Sequence, residues 1–455
     1  MSDTLPHIES LAHIDNITDA SLLEKYSSDA SGYPEASPSI VYRPRSTEEV
    51  VHIVKHCHQN NTPFTVQGGL TGLAAGAVPN EGDVVISFEK MDKIEEIDNV
   101  GGTALVQAGV ILENLQKAVL DKGWYFPLDL GARGSCFVGG NIATNAGGNK
   151  VFRYGTMREL TLGLEVVLPD GTLLDMTYSM IKNNTGLDLK HLFIGSEGRY
   201  GIVTRAVLRL FPKPAHKHNA LVALENFQSV TKLLTKTRAA LAEIASFEVM
   251  WLDYLSMSAQ LQGIKVPFDG AYPLYVLMEV EGSRDDLNDR FHEYLEAIIE
   301  EGLAVDALVP QSESQSEELW KIRDGIGYCM RKLGVVVNFD IGLPIKYMQE
   351  FYEKWVDIAG QKYPDMVNLI FGHVGDGNLH VTTGNITEAD IIPIETMMYE
   401  IIKPMRGSIT AEHGIGRIKK DFLTYTRDPD QIEVMKMIKN TINSKDLLNR
   451  SRVID

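Results

Sequence analysis

Residues 131–148, GARGSCFVGGNIATNAGG, constrain this chain more than any other stretch. Glycine inside a regular helix or strand costs roughly 0.5–1 kcal/mol relative to alanine, so so dense a run does not serve regular structure. It marks backbone that takes unusual dihedrals or lies close to something bound. The frame around it alternates strands and helices up to about residue 125. STEEVVHIVKHCHQN (46–60) reads as a helix: Ser46 caps it, Glu49 completes a capping box, and Val50, Ile53, Val54 and Cys57 form one apolar stripe. PFTVQGGLTGLAAGAVP is a strand running into small residues, and VVISFE a further strand.

Beyond the glycine run, LEVVLPDGTLLDM reads as a hairpin turning at Asp170-Gly171. PKPAHKH (212–218), polar and broken by proline, marks a boundary. After it, ALVALENF, FEVMWLD and YVLMEVEG are strand candidates between amphipathic helices, the pattern of antiparallel strands with helices on one side. The fold class is therefore α+β, with expected domains at 1–214 and 215–409 and a helical C-terminal segment over 410–455.

A chain of 455 residues holds two or three such domains. Its 61 acidic against 43 basic residues leave a formal charge of -18, which excludes a broad nucleic-acid footprint. Cys57, Cys136 and Cys329 make neither a disulfide framework nor a C-x-x-C pair, so a cysteine-ligated cluster is not expected. MSDTLPHIESLAHIDNITDA lacks an apolar or Arg-rich targeting pattern, and no apolar run is long enough to span a membrane. A reducing cytoplasm is the expected compartment.

QGGLTG (67–72) follows a strand with residues that barely shield the backbone. Successive exposed N–H groups of this kind make an anion nest suited to a pyrophosphate. It is not the G-x-G-x-x-G dinucleotide fingerprint, and no P-loop lysine follows. Alone the motif is more often structural. A second glycine block, carrying Ser135, Asn141, Thr144 and Asn145, points to an extended ligand lying between the two.

FGHVGDGNLHVTT (371–383) places two histidines an odd distance apart, which in a bare strand would put them on opposite faces. With Asp376-Gly377 as a two-residue hairpin turn, His373 faces His380 across the strands, about 4.5–5.5 Å apart at Cβ. That separation suits two imidazoles on one metal. The bland alternative has one histidine capping a turn and the other packed in a core.

QGGLTGLAAGAVP, GARGSCFVGGNIATNAGGNKVFRYG and FIGSEGRYGIVT, in that order, resemble the FAD-binding domain of the vanillyl-alcohol-oxidase type. GHVGDGNLH and GSITAEHGIG extend the similarity to its D-2-hydroxy acid dehydrogenase branch, over nearly the whole chain. The resemblance implies a two-subdomain FAD-binding domain and an antiparallel-sheet substrate domain. It implies that Gln67, Gly68, Gly69, Leu70 and Thr71 contact the FAD pyrophosphate. Pro127, Leu130, Ser135, Gly140, Asn141, Thr144, Asn145 and Ile202 would line the flavin, with Asn378 also on the cofactor. Leu70 and Thr71 stand where some relatives tether FAD through histidine, so the flavin is expected to be noncovalent. Cys136 reads as a packing residue rather than a second tether.

The resemblance also supplies Glu412 as third metal ligand beside His373 and His380. Two histidines and a carboxylate leave a coordination position open, as in catalytic zinc sites; iron and manganese suit the same set. His413 is then the general base for the substrate hydroxyl, with the hydride passing to flavin N5. Arg323, in LWKIRDGIG, matches the substrate-carboxylate arginine; the plain reading is an exposed helix arginine paired with Asp324 or Glu318. Members acting on 2-hydroxyglutarate carry a lysine where this chain has Asn338, a threonine where it has Gly327, and an asparagine where it has Thr382. Losing a charge-assisted contact there costs about 1.5–3 kcal/mol, enough to shift preference toward a shorter D-2-hydroxy acid such as lactate, with 2-hydroxyglutarate retained as an option. Asn338, Thr382, Arg323 and His413 are the expected substrate contacts. The acceptor would be an electron-transfer flavoprotein, quinone or cytochrome, with homodimer formation open. An O2-using FAD oxidase, a metal-dependent hydrolase and a non-catalytic flavin module are the competing readings; peroxide release would mark the first, and absence of flavin colour the second.

Overall fold

The computed structural model describes residues 11–455. The first ten residues of the N-terminal stretch read for a targeting signal lie outside the described residues. The chain divides into two units. Unit 1 takes the chain up to Gly148, Gly155–Lys213 and Glu412–Asp455; unit 2 takes Asn149–Tyr154 and Pro214–Ala411. No composition shift in the sequence signals that Asn149–Tyr154 goes with unit 2. Its side chains account for it: the Lys150 ammonium bonds the Glu279 and Glu281 carboxylates, and the Tyr154 hydroxyl donates to Glu281 at 2.6 Å.

Unit 1 holds a four-stranded sheet in the order Asn16–Ile17, Ile40–Tyr42, Val84–Ser87, Phe64–Gln67, with the last three strands parallel. The helix Thr47–Gln59 connects two of them. Its N-cap is as expected, Ser46 Oγ accepting the Glu49 N–H at 3.4 Å, while the Glu49 carboxylate accepts from Arg45 N–H at 2.7 Å. Val50, Ile53, Val54 and Cys57 are all buried. Each aliphatic side chain of that stripe contributes about 1.5–3 kcal/mol by leaving water. A second, antiparallel sheet runs Ile94–Asp98, Thr103–Gln107, Ile202–Arg209, Thr161–Val167, Leu173–Met176. The C-terminal segment is fastened by Arg199, whose buried guanidinium donates to the Leu448 and Asn449 carbonyls at 3.1 and 2.7 Å.

Unit 2 is built on a seven-stranded antiparallel sheet. Its order is Asp306–Leu308, His216–Leu224, Leu274–Gly282, Ile244–Trp251, Val367–Gly372, Asn378–Gly384, Val336–Gly342. The helices cover both faces, not one. Met250 and Phe371 pack with Tyr254, Leu255 and Ile322 from helices Leu252–Gln262 and Glu313–Arg323. Trp251, pointing the other way, stacks on Phe227 at 5.8 Å, at the start of helix Phe227–Ala240. The reason lies in the strands: Ile244–Trp251 is buried at every position, so both of its faces need a cover. Among the described residues no helix is long and apolar enough to cross a membrane.

Candidate functional site

Unit 1 contains a cavity of about 420 Å³ walled largely by backbone and small side chains. Gln67, Gly68, Gly69, Leu70 and Thr71 line it, together with Leu130, Gly140, Asn141, Thr144 and Ile202. Glycine is required at Gly69, where a Cβ would sit 2.1 Å from the Ser135 carbonyl oxygen. Leu70 and Glu197, also on the wall, hold positive φ of 58° and 52° without being glycine, strain that collects at binding sites. Two observations show room and chemistry for a ligand. A Cβ at Gly140 would meet no atom within 4 Å, although the residue lies in helix Val138–Ala143. Gln67 donates its amide to the Tyr26 and Ala77 carbonyls at 2.8 and 2.9 Å, leaving Oε1 buried without a partner. The extended shape of FAD fits such a wall.

Three expected flavin contacts are not on this wall. Pro127 is buried elsewhere, and Ser135 is exposed with its hydroxyl donating to the Ala132 carbonyl at 3.3 Å. The Asn145 side-chain oxygen accepts from the Thr156 hydroxyl and the Arg158 N–H, both at 2.9 Å, and so serves the helical turn Met157–Leu160. Cys136 lines the cavity; burial pushes its thiol pKa up, which suits packing better than a thiolate tether.

Glu412 and His413 also line this cavity. The segment after them is held by Glu197, whose two carboxylate oxygens accept the Ile415 and Gly416 N–H groups, each at 2.7 Å. Burial raises the Glu197 pKa, and those N–H groups together with Arg452 and Lys419 offset part of the rise. Glu197 sits inside the quoted FIGSEGRYG motif, yet nothing in the residue pattern distinguished it from a surface carboxylate.

In unit 2 the histidine hairpin differs from expectation in register. Phe371, not His373, stands opposite His380. The turn spans residues 373–377, because the His373 carbonyl accepts N–H groups from Asp376, Gly377 and Asn378 at 3.1, 3.1 and 3.2 Å. One carbonyl gathering three amides closes a wider loop than a two-residue turn. His373 and His380 are therefore diagonal neighbours on one face, within reach of long side chains. Their rings lie edge-to-face, centroids 5.4 Å apart at 75°. Two imidazoles side by side offer nitrogen donors that suit a divalent transition metal.

Behind His373 stands a residue that sequence reasoning missed. Strand Ile244–Trp251 pairs Val249 with Gly372, so one further step brings Glu248 opposite His373. Glu248 Oε1 lies 2.8 Å from His373 Nδ1, and Oε2 accepts the Arg323 Nε–H at 2.8 Å. Burial would raise the Glu248 pKa, but the adjacent His373 and Arg323 charges outweigh it and hold the carboxyl well below its ordinary range. Arg323 is buried rather than exposed, and its carboxylate partners among the described residues are Glu248 and Asp324, not Glu318. Its Nη2 is 2.9 Å from His373 Nε2, its Nη1 donates to half-exposed Asp324 at 3.2 Å, and its guanidinium lies 5.2 Å over the Phe371 ring. In the alternation of FEVMW, Glu248 reads as an outward-facing polar position; only the two-sided cover of the sheet buries it.

Asn338 and Thr382 are cross-strand partners, the threonine hydroxyl donating to Asn338 Oδ1 at 2.8 Å. Asn378 donates to the Asp340 carboxylate at 2.9 Å and the Ile341 carbonyl at 3.1 Å, with its own Oδ1 buried and unpartnered. Asp340, opposite His380, also accepts the Thr410 hydroxyl at 2.9 Å and the Ala411 N–H at 3.2 Å. The strap 408–411 thus ends beside the His380 strand, one peptide bond before Glu412.

Comparison with known proteins gives two family matches: the FAD binding domain over residues 38–177 and the C-terminal domain of FAD linked oxidases over 213–453. A probable mitochondrial D-2-hydroxyglutarate dehydrogenase of Oryza sativa subsp. indica is 39% identical over 94% of this chain and 77% of its own. A D-2-hydroxyglutarate dehydrogenase of Stutzerimonas stutzeri is 34% identical, covering 96% and 95%. A putative mitochondrial D-lactate dehydrogenase of Schizosaccharomyces pombe is 35% identical, covering 96% and 85%. Among solved structures, p-cresol methylhydroxylase superposes with a TM-score of 0.78 at 16% identity, over 99% of this chain and 98% of that one. At that identity the likeness speaks for the fold alone.

Proposed function

Because the chain belongs to the FAD-dependent D-2-hydroxy acid dehydrogenases of the vanillyl-alcohol-oxidase type, oxidoreductases acting on CH–OH groups, we propose that it oxidises a D-2-hydroxy acid to the 2-oxo acid using FAD and a divalent cation. The observation that carries the metal-dependent part is the pair of imidazoles with ring centroids 5.4 Å apart on one sheet face.

His373 and His380 would hold the cation, with Glu412 as the third ligand that the family resemblance implies, zinc foremost and iron or manganese as alternatives. When bound, the cation supplies Lewis acidity toward an α-hydroxy acid, and FAD supplies a hydride acceptor at N5. An alcohol is a weak acid, so a base must sit within hydrogen-bond reach of its proton. His413, next in sequence to Glu412 and on the cavity wall, takes that proton in this reading. The Nη1 side of Arg323 shares only half-exposed Asp324, so it is the part of the guanidinium offered to the substrate carboxylate. Asn338 and Thr382 would meet the substrate's side chain as a neutral, hydrogen-bonded pair. That polarity favours a short side chain, and relatives named for 2-hydroxyglutarate and for D-lactate bracket the range.

A dye-reduction screen of D- and L-2-hydroxy acids tests the proposal. Turnover confined to D-acids, and lowered about 10²–10⁴-fold by His413→Ala with flavin retained, is the expected result. Equal turnover of L-acids, or an unimpaired His413→Ala enzyme, would refute the assignment.

A further inference from the structure

Glu248 is a buried charged group beside His373, in a strand buried at every position. A carboxylate there is expensive to desolvate, and apolar residues of similar volume often replace such buried pairs without loss of stability. Its presence therefore asks for a reason other than packing. The geometry supplies one: the two oxygens are divided between two partners. Oε1 faces His373 Nδ1 at 2.8 Å, and Oε2 takes the Arg323 Nε–H at 2.8 Å. A ring N–H donated to a carboxylate fixes the imidazole's tautomer and orientation, leaves the Nε2 lone pair outward, and raises its basicity. Arg323 Nη2 lies 2.9 Å from Nε2 and 3.4 Å from Nδ1, a position over the ring and off the in-plane lone pair, so the guanidinium does not occupy the direction a cation would take.

We propose that Glu248 is a positioning residue that presents His373 Nε2 to the metal and, through its second oxygen, sets where the Arg323 fork points. The inference rests on the metal-dependent reading above. It also assigns different consequences to the two partners of Glu248. Loss of the carboxylate weakens metal binding, whereas loss of the arginine does not.

The test measures Zn²⁺ affinity of the full, flavin-loaded chain by competition with a chromophoric chelator. Removing Glu248 alone would strand the Arg323 charge and risk the fold, so the comparison is made on an Arg323→Met background. On that background Glu248→Gln keeps an acceptor for the Nδ1–H, and Glu248→Leu keeps volume without one. Affinity should fall about tenfold for Gln and about a hundredfold for Leu, the span typical of outer-shell partners of metal-bound histidines. Arg323→Met by itself should leave affinity unchanged or tighter. Melting temperature and flavin content, followed in parallel, should not reproduce the Gln-to-Leu grading. Equal Zn²⁺ affinity in all three variants, with the unsubstituted chain binding normally, would overturn the role of Glu248 and leave the metal reading standing. Failure of the unsubstituted chain to bind Zn²⁺, iron or manganese would overturn both.

Discussion

The two units build their candidate sites by different means. Unit 1 surrounds its cavity with glycines, small side chains and backbone in strained conformations, so shape does most of the selecting. Unit 2 gathers charged and ionisable side chains on a sheet face: Glu248, Arg323, His373 and His380, all buried. Elsewhere in the same sheet a second buried cluster joins Lys150 to Glu279 and Glu281. A wall made of backbone is sensitive to added volume. A site made of buried charges is sensitive to removed charge.

The difference can be broken from either side. The largest expected effect is in unit 2, where Glu281→Gln strips one partner from buried Lys150. It should cost unit 2 about 3–5 kcal/mol, at the low end because Glu279 still faces the ammonium. Denaturant-dependent hydrogen exchange of the Leu274–Gly282 amides measures it; a loss below 1 kcal/mol would mean that the cluster is solvated. Next is Gly69→Ala in unit 1, whose Cβ would collide with the Ser135 carbonyl. A cost of about 1–3 kcal/mol, with loss of bound flavin, is expected from overpacking.

Acid should act with opposite sign on individual groups of the two units. Burial would raise the Glu281 pKa, but Lys150 and Lys217 outweigh it and hold it below normal. Its contribution is present above the unfolded value, near 4.3, and is lost as pH falls through the folded one. Glu197, raised by burial, imposes a destabilisation at neutral pH that fades as pH falls through its folded pKa. Glu281→Gln should therefore flatten the acid loss of unit 2, and Glu197→Gln should remove an acid-side gain in unit 1. Unchanged pH profiles of amide protection would contradict both.

The smallest effect on stability is the most diagnostic. Gly140→Ala places a methyl where no protein atom lies within 4 Å, in a helix that alanine favours by about 1 kcal/mol. The fold should be unharmed or slightly steadier while flavin affinity falls. Unchanged affinity would show that the cavity wall at Gly140 is not a flavin surface.

The same contrast explains what could be read in advance. Glycine density at 67–72 and 131–148 announces a backbone-built wall directly, because only glycine tolerates the approach seen at Gly69. The stripe Val50, Ile53, Val54, Cys57 is legible because helical periodicity is local. Hairpin register is not local in that sense. Asp376-Gly377 suggested a two-residue turn, and the His373 carbonyl, by collecting three amides, moved the pairing by two residues. The histidines stayed on one face because a shift of two preserves parity. Glu248 was illegible because its partners lie on other elements, and its burial depends on helices covering both sides of the sheet. The assignment of Asn149–Tyr154 to unit 2 was hidden likewise, in pairs formed with distant Glu279 and Glu281.

The central claim is that oxidation of the hydroxy acid needs both the FAD cradle and a cation at the paired imidazoles. The most direct measurement is anaerobic bleaching of the flavin absorbance on mixing with a D-2-hydroxy acid, before and after treatment with a chelator. The account predicts rapid bleaching that chelation abolishes and zinc, iron or manganese restores, with the flavin still bound throughout. Bleaching at an unchanged rate in fully chelated protein would contradict it.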